Sequence, residues 1–301
     1  MEYVLKTKEL TKRFGGKLAV SNVDMHIREG EVYGLIGENG AGKTTIMRMV
    51  AGLASQTNGE IELFDSSDLN AGRKRIGCVI ENPAIYGNMT ARENIEVFRR
   101  LVGDNRENIA EEILETVGLG DTGKKKAKNF SLGMKQRLSI GIALLGDPDF
   151  LILDEPINGL DPTGIAEVRD LITKLNEEKK KTILISSHIL GELFKVATHF
   201  GVIRKGELVE EFSRDELSEK CKQNIKIVVD NIEKAENIVR EKFTANYNVI
   251  DGNTLLINYD LDSIDVINAA LVNAGVGVKH LSLYGLDLEG YFIELMRGGA
   301  N

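Results

Sequence analysis

Gly37-Glu-Asn-Gly-Ala-Gly42-Lys43-Thr44 fits the pattern G-x-x-x-x-G-K-[ST], and it stands between an apolar run, Val32 to Ile36, and a helical period from Thr44 to Gly52. Glycines at these places let successive backbone N–H groups turn inward as an anion nest. The start of a helix adds its partial positive charge to the same spot. In such a loop Lys43 reaches the outer phosphates of a nucleotide, and the Thr44 hydroxyl reaches a divalent cation. Glu38, Asn39, Gly40, Ala41 and Thr45 complete the expected cradle. A chance Gly-rich turn would not need a strand before it and a helix after it.

The second informative stretch is Phe150-Leu-Ile-Leu-Asp154-Glu155. Four apolar residues read as a buried strand whose end delivers two carboxylates. In a P-loop protein the Asp at this place holds Mg²⁺. Consecutive strand residues point to opposite faces, so Asp154 and Glu155 take different jobs unless the chain turns between them. Glu155 is then free to act as general base toward a water. The plain alternative is a pair of solvated acids closing a strand.

Composition bounds the remaining possibilities. The 301 residues are 42% hydrophobic and 28% charged, the mixture of a soluble globular protein. A net charge of -8 disfavours nucleic acid as a partner, because phosphate contacts need clustered cations. The basic run Lys124, Lys125, Lys126 and Lys128 reads as a solvated face rather than a binding patch. Cys78 and Cys221 lie far apart without metal-ligand spacing, which suits a reducing cytoplasm. No signal peptide is read at Met1-Glu2-Tyr3-Val4, and no window approaches the ~18 apolar residues of a spanning helix. Any membrane role is expected to be peripheral.

Two domains are expected, residues 1–212 and 213–301. In the first, Val20 to Ile27, Val32 to Ile36, Cys78 to Ile80, Leu151 to Leu153 and Thr182 to Ile185 read as strands, most of them buried in a mainly parallel sheet. Thr90-Ala-Arg-Glu93 has capping-box spacing and predicts a helix start. A hairpin is expected from Val202 to Val209, with Gly206 in the turn. Ser213-Arg-Asp-Glu216 has capping-box spacing and reads as the start of a connecting helix. Beyond it the order is strand, helix, two strands, helix, strand. That βαββαβ order is the split βαβ, or ferredoxin-like, arrangement of a small α+β domain. No internal repeat and no low-complexity tract is visible.

With both phosphate-binding stretches in hand, residues 1–212 resemble an ABC-type nucleotide-binding subunit, an α/β P-loop NTPase cassette with an antiparallel β part and a helical subdomain. Further motifs follow in that family's order. Phe130-Ser131-Leu132-Gly133-Met134-Lys135-Gln136-Arg137 resembles the family signature, usually written LSGGQ; Ser131 and Gly133 match it, while Leu132, Met134 and Lys135 depart. Gly159-Leu160-Asp161 resembles the D-loop, and Ile185-Ser186-Ser187-His188 carries the switch histidine. Phe14 stands where the family stacks an aromatic on adenine. The resemblance implies ATP and Mg²⁺ as cofactors, Thr44 and Asp154 on the metal, Glu155 as base and His188 on the γ-phosphate. It also implies that Ser131, Gly133 and Asp161 meet the nucleotide of a second nucleotide-binding subunit, in a homodimer. His26, His199 and His280 read as structural or exposed.

Glu81, in Cys78-Val-Ile-Glu81-Asn-Pro83, stands where most family members carry Gln. A carboxylate accepts but cannot donate, and Mg²⁺ favours carboxylate oxygen. The resemblance implies that Glu81 touches the metal or the water and links it to the membrane partner, and the carboxylate is expected to shift the timing of hydrolysis more than binding. Glu here, with Pro83, Tyr86 and Thr90-Ala-Arg-Glu-Asn94, resembles the bacitracin-resistance and lantibiotic-immunity exporter branch. A neutral substitution in an exporter of another cargo is the alternative. The resemblance implies a transmembrane permease partner and a place on the inner face of the cell membrane. A soluble ABC-type ATPase of translation or DNA would normally show two cassettes or a coiled-coil insertion, and neither is visible. A small-molecule P-loop kinase would not need the signature or the D-loop.

Overall fold

A computed structural model describes residues 2–81, 85–221 and 223–297. Pro83 lies outside the described residues. The chain opens with β1 (Tyr3–Phe14), β2 (Lys17–Val23) and β3 (His26–Arg28). The single strand expected from Val20 to Ile27 is thus two strands, one after the other along the same edge of β1. The break has a local cause. The buried Thr7 hydroxyl donates to Val23 O (2.8 Å) and accepts from Met25 N (2.9 Å), taking the ladder's place at the break between them.

Next come β4 (Val32–Ile36), α1 (Lys43–Val50), β5 (Asn58–Leu63), α2 (Leu69–Arg73) and β6 (Ile76–Val79). β5 pairs antiparallel with β1 and completes a four-stranded sheet. A helical stretch follows, with α3 (Ala91–Val102), α4 (Ile109–Thr116) and α5 (Leu132–Ala143). α3 begins with a full capping box: Glu93 N donates to Thr90 Oγ1 and Thr90 N donates to Glu93 Oε2. Then follow β7 (Phe150–Leu153), α6 (Pro162–Glu177), β8 (Thr182–Ser187), α7 (Leu190–Val196), β9 (His199–Arg204) and β10 (Glu207–Ser213).

The second sheet runs β10-β9-β4-β8-β7-β6. Its pairings from β9 through β6 are parallel, and only β10 joins antiparallel. All residues of β4, β7 and β8 are buried, as strands covered on both faces must be. The core that fixes the P-loop gathers Tyr33 and Leu35 of β4, Ile46 and Met47 of α1, and Phe150 and Ile152 of β7. Because β4, β8 and β7 are adjacent and parallel, their carboxyl ends open side by side. That edge is where open α/β sheets bind ligands.

By its backbone contacts the chain divides into two compact units, Met1–Arg214 and Asp215–Asn301. The second holds most of α8 (Arg214–Lys220), then β11 (Asn224–Val229), α9 (Ile232–Lys242), β12 (Tyr247–Asp251), β13 (Thr254–Ile257), α10 (Ile264–Asn273), β14 (Val278–Tyr284) and α11 (Leu288–Arg297). Its antiparallel sheet runs β12-β13-β11-β14. Alternate residues Ile225, Ile227 and Val229 face a core shared with Val239 and Leu271. No helix among the described residues is long and apolar enough to cross a membrane.

Within the first unit, the buried Asp104 ties the end of α3 to the turn after α5. Its carboxylate accepts from Arg106 N (3.1 Å) and Gly146 N (2.9 Å), and it clasps the Arg106 guanidinium. That guanidinium, with the Gly146 and Arg106 amides, holds the Asp104 carboxyl well below the usual carboxylate range. A depressed value stabilises the fold above the ordinary carboxylate pKa, and the gain is lost as pH falls toward the lowered one. Asp104→Asn is expected to melt at a lower temperature than the wild type at neutral pH, with the gap narrowing in acid. Thermal unfolding of both proteins across pH measures this, and a gap independent of pH refutes it.

Candidate nucleotide site

β4 ends at Ile36, and the chain turns at once into the loop. Gly37 has no room for a side chain, since a Cβ there would lie 2.4 Å from Ile203 O of β9. Gly42 has φ 117°, a region that L side chains rarely adopt, and serves as the N-cap of α1. No side chain caps that helix. The N–H groups of its first turn are therefore left to a ligand.

Lys43 is 5% exposed, and its ammonium is held by oxygen on every contact. Nζ donates to Gly37 O (2.6 Å) and Glu38 O (3.3 Å) and lies 3.2 Å from Glu155 Oε1. The two carboxylates at the end of β7 do part company. Glu155 has φ 48°, so the chain turns there and breaks the strand alternation. Asp154 accepts from Ser186 Oγ (2.7 Å), and the same Oγ accepts from Glu155 N (2.8 Å). Glu155 turns instead toward Lys43 and His188, whose Nδ1 is 2.8 Å from Glu155 Oε2. Ser186 was not singled out by sequence reasoning. The signal was there, a hydroxyl in a strand two residues before the histidine, but its partners follow a different strand.

Lys43 and Glu155 open on a cavity of about 550 Å³, lined also by the loop residues Asn39, Gly40, Gly42, Thr44 and Thr45 and by Phe14, while Asp154 and His188 stand behind Glu155 and do not line it. Phe14 is 54% exposed, with Lys12 Nζ 4.9 Å from its ring centre. Thr44 and Asp154 offer hard oxygen donors, and few of them. That fits Mg²⁺, which takes one or two protein ligands and completes its shell with water and substrate phosphates. Among the described residues no group of three or more His, Cys, Asp or Glu is placed to hold a metal unaided.

Other expected residues lie apart from this cavity. Ser131 caps α5 by accepting from Met134 N (3.2 Å), and Asp161 caps α6 by accepting from Gly164 N (3.1 Å). Gly133 and Gly164 bring the two helix starts together, for a Cβ at Gly133 would touch Gly164 Cα at 3.4 Å. Neither Ser131 nor Asp161 lines the P-loop cavity. Glu81 sits at φ 63° and pairs with Arg48 of α1 at 2.9 Å, more than half exposed. Its carboxylate does not line the cavity either. His26 and His199 lie 3.3 Å from Glu211 and Glu31.

Strand, anion-binding turn and helix in this geometry define a P-loop nucleotide-binding protein. Residues 20–158 match the family described as ABC transporter. The chain is 39% identical over 303 residues to the bacitracin transport ATP-binding protein BcrA of Bacillus licheniformis, covering 99% of each. It is 44% identical over 213 residues to the lantibiotic transport ATP-binding protein SrtF of Streptococcus pyogenes, covering 70% of this chain and 92% of that one. An ATP-binding cassette solved as a dimer in a post-hydrolysis state with ADP and Pi matches with a TM-score of 0.62 at 28% identity, over 70% of this chain and 98% of that one. This chain belongs to the ABC transporter family, as an ATP-binding and ATP-hydrolysing member.

Arg137 is the further residue that motif reading left without a role. Its guanidinium Nη1 donates to Val117 O and Gly118 O (both 2.8 Å) at the end of α4, and Nη2 pairs with Glu167 of α6 at 3.1 Å. One half-buried cation thus joins α4, the signature helix α5 and the D-loop helix α6, and it meets the negative end of α4. Arg137→Met is expected to lose roughly 2–4 kcal/mol of stability, since carbonyls and a carboxylate lose a charged donor. Denaturant unfolding checks this, and a loss within error of zero sinks it.

Proposed function

We propose that this chain is the ATPase subunit of an exporter for peptide antibiotics of the bacitracin or lantibiotic type, working as a homodimer on the inner face of the cell membrane beneath a transmembrane permease. The observation that carries the catalytic part is the Glu155 carboxylate, held between Lys43 and His188 beside the P-loop cavity. The cargo rests on likeness to BcrA and SrtF, proteins named for bacitracin and lantibiotic transport.

In this reading Phe14 stacks on adenine, and the amides of Gly37 to Thr45 cradle the phosphates. Lys43 exchanges its carbonyl partners for β- and γ-phosphate oxygens. Thr44 and Asp154 hold Mg²⁺, which neutralises developing phosphate charge when bound. Glu155 takes a proton from the attacking water. His188 orients that carboxylate and then meets the γ-phosphate. Ser131, Gly133 and Asp161 act on the nucleotide of the second copy, which suits their distance from this chain's own cavity. Closure of the dimer is passed to the permease through the segment around Glu81, whose carboxylate, once released by Arg48, would be free to reach the water or a bound Mg²⁺. The unit from residue 213 onward is an accessory domain.

Glu155→Gln is expected to bind ATP, to lower turnover by 100-fold or more, and to collect as a closed dimer in size-exclusion chromatography. Hydrolysis near the wild-type rate by this variant removes Glu155 as base. Lys43→Ala should lose nucleotide affinity, and wild-type affinity would refute the phosphate assignment. Tagged Glu155→Gln protein, pulled from native membranes with ATP, is expected to bring down a polytopic membrane protein. Ribosomes or DNA in its place would overturn transport and leave the ATPase standing.

A further inference from the structure

The P-loop cavity has a second wall, and nothing in the loop motifs accounts for it. That wall carries Lys17 at the start of β2 and Lys205 in the turn between β9 and β10. Neither lysine side chain makes an ion pair or hydrogen bond with another described residue. Glu155 is the one acid among the residues lining the cavity, and Lys43 already neutralises it. Two positive charges are left over, in a chain whose net charge is -8.

Lys205 is the better anchored of the two. Its turn is clamped to the P-loop by a backbone hydrogen bond from Gly206 N to Ala41 O (2.8 Å), and to β2 by one from Ser21 N to Gly206 O (2.8 Å). Arg204 pairs with Glu207, which makes this a two-residue hairpin loop with φ 51° at Lys205 and φ 89° at Gly206. Positive φ at both central positions defines a turn that favours Asn-Gly. Lysine in left-handed backbone is an uncommon choice there. Local geometry does not ask for this side chain; the cavity beside it offers a reason, since an ammonium on that rim faces a polyanion.

We propose that Lys205 is a nucleotide-contacting residue, whose ammonium meets the phosphate charge of bound ATP or ADP from the hairpin that lines the same cavity, with Lys17 adding to the same field. The inference rests on the nucleotide reading of this cavity and extends it to a turn outside the family motifs. Lys205 supplies affinity and takes no proton, so it acts on binding and leaves the chemical step alone.

Lys205→Asn separates this role from a structural one, because Asn suits the turn better than Lys while removing the cation. The expected result is a melting temperature equal to or above that of wild type, with the Kd for ADP raised roughly three- to ten-fold at low salt. That penalty should shrink at high salt, since exposed charges are screened. Adenosine, which lacks phosphate, should bind both proteins equally. Lys205→Gln, which keeps the strained turn, should weaken ADP binding to the same degree. An unchanged Kd for ADP overturns the proposal, as does an equal loss for adenosine, or a loss in the Asn variant that the Gln variant lacks. Wild-type ADP binding, abolished in Lys43→Ala, is the control for the nucleotide site itself. Failure there would strike the site, whereas intact wild-type binding with an indifferent Lys205 strikes only this inference.

Discussion

The ion pair between Lys43 and Glu155 is the interaction on which the site's geometry turns. It joins the start of α1 to the end of β7 through a lysine that is almost wholly buried. A buried ammonium is costly unless oxygen surrounds it, and here two loop carbonyls and one carboxylate do so. The same carboxylate reaches His188 at the end of β8. Three adjacent strands thereby meet through one acid, and the parallel register of β4, β8 and β7 keeps their ends level. Ser186 adds the second tie, since its hydroxyl binds both Asp154 and the Glu155 amide. A change in any of these groups is felt by the others, so the cluster behaves as a unit.

Much of this chemistry could be read from residues because each part is local in sequence. The loop motif needs only eight consecutive residues between a strand and a helix. The Thr90 to Glu93 capping box is a four-residue pattern, and it forms as read. What escaped reading depends on distant partners. β1 gave no clean alternation because it bonds different strands along its two edges and carries bulges against each, so Val4 and Leu5 are both buried. The break at Asp24 needed the Thr7 hydroxyl, sixteen residues from its carbonyl partner. Ser186 and Arg137 look ordinary until α4, α6 and β7 are brought beside them.

Glu81 illustrates the limit of motif reading in another way. Its position was recognised, yet its carboxylate lies on Arg48, an outward residue of α1 that no motif mentions. Arg48 belongs to the same helix whose first turn begins the phosphate loop. An exposed pair of this kind is worth little in stability, about 0–1 kcal/mol, and so is cheap to break. A side chain that is cheaply released can serve two partners in turn. The contact thus bears on timing and has little bearing on the fold.

Charge on this chain has to be read locally. A net -8 argues against a nucleic-acid footprint, which needs many cations on one face. It does not argue against binding a nucleotide, because a single polyphosphate responds to the field inside one cavity. There the balance is reversed: three lysines and one glutamate line the P-loop cavity. The uncapped start of α1 adds to that positive field. A protein can therefore be acidic overall and still concentrate an anion at one edge of its sheet, provided that edge carries more cations than acids.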